Sequence, residues 1–122
     1  MGSQKEKKDI IIINNMEINK KEKIVKVSIN PKIYPLPTIY SALYSFLDKA
    51  YVHIDGDPKE EIIVTLIPKN SEIDLEILGR ELNNELINCA AFAIRMKNIK
   101  EIRNTIFKNI IEGNKNVKRN SL

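Results

Sequence analysis

The stretch SEIDLEILGRELNNELINCAAFAIRMKNIKEIRNTIFKNIIEG, residues 71–113, decides how this chain folds, because no other part can bury as much apolar surface. Leu75, Leu78, Leu82, Leu86, Cys89, Ala93 and Met96 recur at steps of three and four, which makes one stripe of an α-helix. Ser71 followed by Asp74 reads as the start: a hydroxyl to accept from free backbone N–H groups, with acid in the first turn. Glu76, Arg80 and Asn84 fall opposite the stripe. Farther on, Ile87, Ala91 and Ile94 form a second apolar line nearly opposite the first. A helix apolar on two sides is sandwiched, either between a sheet and another helix or in a subunit interface. Cover from within the chain is the preferred expectation, since the next segment can supply it. Asn98 with Glu101 reads as a second N-cap pair, and Ile99, Ile102, Ile106 and Ile110, widened by Phe107 and Ile111, as a second stripe. Gly113 suits a left-handed stop. The expectation is two helices, broken near Asn98 and packed as an antiparallel hairpin.

With 122 residues, 43% of them apolar and 22 of them isoleucine, the chain can fill one core. A single cysteine excludes an intramolecular disulfide and a cysteine zinc cluster. No apolar run reaches the roughly 18 residues of a membrane span and no signal-like segment follows the start, so a cytoplasmic location without membrane contact is expected. The net charge of +4 invites a nucleic-acid reading, but its distribution argues against one. Residues 1–8 sum to +2 and residues 114–122 to +3, which leaves residues 9–113 at −1. Basic ends of this kind more often solvate a chain than bind. The organisation expected is a disordered, tag-like segment over 1–8, a single α+β domain over 9–113 and a flexible basic tail over 114–122.

Ahead of the helical stretch, Ile10 to Ile13 is a short apolar run that reads as a strand, followed by a polar connection through Lys20-Lys21-Glu22-Lys23. Val25, Val27 and Ile29 alternate on a clear strand, with which Ile10–Ile13 would form a hairpin. Pro31, Pro35 and Pro37 punctuate a turn, and Pro37 opens a helix whose core side is Ile39, Leu43, Phe46, Leu47 and Ala50. Tyr51 to Asp55 is a strand with Val52 and Ile54 inward, Asp55-Gly56-Asp57-Pro58 its turn, and Glu61 to Ile67 the returning strand, apolar on both sides and therefore central. The order is β(β)αββαα: an α+β fold with a small antiparallel-rich sheet and the C-terminal helical pair on one face.

Chemistry-bearing residues are few. His53 alternates outward on its strand with no second histidine to share a metal. Asp55 and Asp57 resemble a two-carboxylate cation site, yet Asp-Gly-Asp-Pro is ordinary turn chemistry. Cys89 sits on the core stripe as a small hydrophobe. No Gly-rich phosphate loop, nucleophile elbow or spaced acid/base pair is present, so no enzyme, cofactor or metal is expected. Tyr40 and Tyr44, one helical turn apart, together with Tyr51 read either as phenols reaching the surface of a sheet-covering helix or as an aromatic platform for a peptide. Asn84 and Glu85 would face Arg103 across the hairpin, as a polar clasp first and a partner-binding patch second.

Three blocks carry a family likeness. Ser41-Ala42-Leu43-Tyr44-Ser45-Phe46-Leu47-Asp48-Lys49-Ala50-Tyr51-Val52 is similar to the helix-into-strand block of the HxsD family, the D component of His-Xaa-Ser peptide systems. Leu82-Asn83-Asn84-Glu85-Leu86-Ile87-Asn88 resembles that family's Asn-Glu-Leu helix, and Ile102-Arg103 followed by Ile106 resembles its Ile-Arg-x-x-Ile block. The likeness spans Val25 to Ile111. It departs at Cys89-Ala90-Ala91-Phe92-Ala93-Ile94, apolar where the family carries an Arg-rich stretch. The resemblance implies a small accessory partner of radical-SAM enzymes that modify a ribosomally made peptide, and it brings no catalytic residue with it. The leading expectation is a non-catalytic protein that binds the precursor peptide, the radical-SAM maturase or both. It would do so at a sheet edge formed by Ile10–Ile13 or Val25–Ile29. The alternative is a self-assembling homodimeric module built on the doubly apolar half of the long helix.

Overall fold

The computed structural model describes residues 9–120, with side chains as far as Gly113. The expectation for residues 1–8 lies outside the described residues, as do the side chains of the basic tail. In chain order the elements are β1 (Ile10–Ile13), β2 (Met16–Asn19), β3 (Ile24–Ile29), α1 (Leu36–Tyr44), β4 (Ala50–Asp57), β5 (Glu61–Pro68) and α2 (Leu75–Asn120). The five strands form one sheet in the order β1-β2-β3-β5-β4, each neighbouring pair antiparallel. This is the α+β class that the alternation of Val25 to Ile29 and Tyr51 to Ile67 predicts. The backbone divides into two compact units, Met1–Ala90 and Ala91–Leu122.

The first unit holds the core. Met16, Ile18, Val25, Val27, Ile62, Val64 and Leu66 alternate onto one face of the sheet and are buried there by Ile39, Ala42 and Leu43 of α1 and Leu78, Leu82 and Leu86 of α2. No polar side chain is buried with them among the described residues. The opposite face, with Lys26, His53 and Ile67 among its residues, is open.

β2 is a strand that the sequence reading misses, since it passes from Ile10–Ile13 to the polar connection at Lys20–Lys23 and assigns no element between them. Asn14, at φ 54°, makes the tight turn after Ile13, so β1 pairs with β2 and not with β3. In consequence β3 lies inside the sheet, between β2 and β5, and cannot serve as the peptide-binding edge expected of it. Strand β4 runs on through Asp57, two residues beyond the predicted end, and the turn falls at Pro58–Glu60. Gly56 allows this continuation. It has φ 106°, and a Cβ there would collide with the backbone carbonyl oxygen of Glu61. Leu47, placed on the core side by helical spacing, is exposed because α1 ends at Tyr44 and the chain turns before reaching it.

The long C-terminal segment departs most from expectation. Asp74, not Ser71, caps it: the Asp74 carboxylate accepts from the Ile77 N–H at 3.0 Å, the bond an N-cap makes to the third helical residue. From Leu75 the helix runs unbroken to Asn120, so Asn98, Glu101 and Gly113 are interior positions and the expected two-helix hairpin does not form. The reason is local: between Gly79 and Gly113 there is neither proline nor glycine to stop the helix. Asn98 and Glu101, spaced like a cap pair, are simply solvated. Every residue from Ala91 to Gly113 is exposed, as is Ile87, so the second apolar line has no cover.

Candidate functional site

β4 occupies one edge of the sheet and β1 the other. β1 offers four residues, β4 eight, and β4 is paired along its whole length to β5 alone. No strand pairs with its other side among the described residues. Successive side chains alternate: Ala50, Val52 and Ile54 turn toward the core, while Tyr51, His53 and Asp55 stand on the open face. Opposite Tyr51 lies Ile67, opposite His53 lies Thr65, and opposite Asp55 lies Ile63. Thr65 in turn faces Lys26, Lys26 faces Glu17 and Glu17 faces Ile12, so one cross-strand row reads His53, Thr65, Lys26, Glu17, Ile12.

This open face is hollowed into a shallow concavity of about 570 Å³ that includes His53, Asp55, Lys26, Ser28, Glu61 and Ile63. Ser28 Oγ donates to Glu61 Oε2 at 2.6 Å, tying down one of its carboxylates. Charges of both signs lie within it, and no group of three metal-ligating side chains comes together among the described residues. Asp55 and Asp57 are occupied by nearby backbone: Asp55 Oδ1 accepts from Gly56 N–H at 2.7 Å within β4, and Asp57 Oδ1 from Lys59 N–H at 2.9 Å at the turn.

The three tyrosines are exposed but do not make one platform. Tyr40 and Tyr44 lie on α1, whose Ile39, Ala42 and Leu43 pack on the covered face, whereas Tyr51 stands on the open face. Tyr51 is held by a lysine that sequence reading passes over. Lys69 Nζ lies 5.0 Å from the ring centroid and donates to the Leu47 carbonyl at 2.8 Å, a cation–π contact that fixes the phenol beside the β4 edge.

Asn84 is exposed on α2, and Arg103 lies farther along the same helix, so the facing helix on which their clasp depends is not there. The interaction that does anchor this block uses its neighbour. Asn83 and Asn15 exchange two amide hydrogen bonds, each 2.9 Å, and Asn15 also donates to the Ser28 carbonyl at 3.0 Å, locking α2 to the β1–β2 turn. Asparagine spacing within a predicted helix gives no sign of a partner 68 residues away.

Glu85 is engaged by Cys89, whose Sγ donates to Glu85 Oε1 at 3.5 Å. Burial chiefly, then that hydrogen bond and the carboxylate charge, push the Cys89 thiol above its ordinary range. The folded protein therefore keeps a proton that the unfolded chain releases. The contribution to stability is complete below the unfolded thiol value and is lost as pH rises through the raised one. Alkylation by iodoacetamide is expected to be slow at neutral pH, and Glu85→Gln should move the midpoint of its pH–rate profile down. A midpoint unchanged in that variant would show that the carboxylate has no part in holding the proton.

A family model described as "His-Xaa-Ser system protein HxsD" matches residues 29–116, more than half of the sequence. The chain belongs to the HxsD family. The matched region takes in α1, both strands of the β4–β5 hairpin and most of α2, and it leaves out β1 and β2. No curated protein and no solved structure matches this HxsD-family chain. No helix is long and apolar enough to cross a membrane among the described residues.

Proposed function

We propose that this chain is a non-catalytic accessory protein of a His-Xaa-Ser radical-SAM peptide-modification system, and that it captures the precursor peptide by strand addition along β4. The observation that carries this reading is the edge itself. β4, extended from Ala50 as far as Gly56, presents backbone donors and acceptors on a side that no strand covers among the described residues. Proteins usually blunt such an edge with lysine, proline or a bulge. Tyr51 to Asp55 contains neither residue, and its register to β5 is unbroken. An added strand would gain main-chain hydrogen bonds from β4 and lay alternate side chains beside Tyr51 and His53 on one face and Val52 and Ile54 on the other. β1 is the lesser candidate, at half the length and outside the region matched by the family.

Titration calorimetry with the precursor peptide and the radical-SAM enzyme of the same system tests this. Heat with the peptide is expected, with affinity reduced at least about fivefold in Tyr51→Ala, the loss of one anchoring aromatic contact worth ~1 kcal/mol. Absence of heat with both components at tens of micromolar would overturn the reading.

A further inference from the structure

We propose that the face of α2 carrying Phe92, Met96, Ile99, Ile102, Ile106 and Ile110 is a docking surface for an acidic amphipathic helix of a partner protein. The inference rests on the accessory reading above and specifies a second contact that the accessory would make. At about 100° per residue these six side chains fall within one side of the helix. All are exposed. Together they present on the order of 600 Å², approaching the roughly 800 Å² that each partner contributes to a stable interface and well above scattered surface hydrophobicity.

Charge selects the occupant. Residues 91–113 carry Arg95, Lys97, Lys100, Arg103 and Lys108 against Glu101 and Glu112, a net +3. Helical spacing places Arg95, Arg103 and Lys100 within or beside the apolar face and both glutamates on the far side. On this face the charged side chains that an occupant meets are cations. A second copy of the same segment would bring like charges together along the seam. The stretch 72–85 of a second copy is acidic, at −4, but the large apolar side chains it exposes reduce to Ile77. An anionic lipid surface matches the cations, but a helix that lies in one keeps its Lys and Arg on the polar face, whereas helical spacing sets Arg95 and Arg103 within the apolar row. An acidic helix with its own apolar stripe answers both features, filling the row with knobs and flanking it with carboxylates.

The probes are two labelled synthetic helices with identical Leu/Ile stripes, one flanked by glutamate and one by lysine, titrated with the full chain by fluorescence anisotropy. The glutamate helix is expected to bind at least about tenfold tighter than the lysine helix, and more weakly as salt rises. Ile99→Asp combined with Ile106→Asp should abolish this binding. Arg103→Glu should narrow or reverse the preference. Both sets of changes lie on exposed positions, so circular dichroism should show the fold intact.

Equal binding of the two helices, or none of the glutamate helix at roughly 100 µM, overturns the proposal. So does binding to vesicles containing phosphatidylserine without binding to the glutamate helix. A dimer seen by light scattering and dissolved by the double isoleucine variant would also overturn it, making a second copy the occupant. Calorimetric heat with the precursor peptide that survives the double variant would leave the β4 reading standing while this one fails.

Discussion

Leu82→Ala is expected to lower the free energy of unfolding by about 4 kcal/mol, a large share of the roughly 5–15 kcal/mol that holds a domain together. Leu82 is 0% exposed and packs in the middle of the α2 stripe, with Leu78 and Leu86 a turn to either side. Truncation removes three carbons from a site walled by sheet and helix, where little can collapse into the space. The transfer loss and the cavity term therefore add. Urea unfolding followed by circular dichroism should show a lower midpoint with an unchanged slope. Ile106→Ala supplies the contrast. The same kind of truncation in the same helix, at a 51% exposed position, should stay within about 0.5 kcal/mol. Equal losses at the two positions would mean that the distinction between the packed and exposed lengths of α2 is wrong.

That distinction marks the limit of what periodicity reveals. The alternation of Val25 to Ile29 and of Ile62 to Leu66 is buried as its pattern implies, but the stripe from Leu75 to Met96 is so only in part: Leu78, Leu82 and Leu86 are buried, Leu75 and Cys89 half-buried, Ala93 and Met96 exposed. The stripe Ile99, Ile102, Ile106, Ile110 is equally regular, yet it is exposed. A pattern states that a face wants cover; it does not state who provides it. The inferred hairpin assumed that the chain covers itself, and Asn98 with Glu101 lent that assumption a cap-like spacing. Spacing cannot break a helix when every residue around it favours helix. β2 failed to register for the opposite reason. Met16 and Ile18 are only two apolar positions, set between asparagines and a lysine-rich turn, and their burial depends on α2 arriving from far along the chain.

The candidate site was legible only in parts. The outward alternation of His53 and the turn role of Asp57 followed from local rules, because both are settled within a few residues. Which strand forms an edge is a property of the whole sheet. Strand β3 lost that role once β2 paired beside it, and β4 gained it because β5 turns back between β4 and β3. The tyrosines divide for a similar reason: helical spacing put Tyr40 and Tyr44 together, but only the pleat of the assembled sheet places Tyr51 on the other face.

Gly79 carries the last expectation. It is buried where α2 meets the sheet, and a Cβ there would stand 2.5 Å from Met16 Sδ and 3.2 Å from Val25 Cγ2. Glycine inside a helix costs about 1 kcal/mol relative to alanine, so its presence here is explained by the close approach. Gly79→Val is expected to destabilise by about 3 kcal/mol, the overpacking loss outweighing the few tenths gained in helix propensity. Gly79→Ala should lose less, since one methyl meets chiefly a flexible thioether. Met16 is 1% exposed, so the larger valine side chain must be absorbed within the core, which makes the contact testable by a double-mutant cycle. With Met16→Ala in the background, Gly79→Val should cost at least about 1 kcal/mol less than it does alone. A cost unaffected by Met16→Ala would place the strain elsewhere. Met16 belongs to β2, outside the region matched by the HxsD family, and Gly79 lies within it. A coupling of that size would therefore show the β1–β2 hairpin to contribute to the stability of the region matched by the family, to which the Asn15–Asn83 amide pair also ties it.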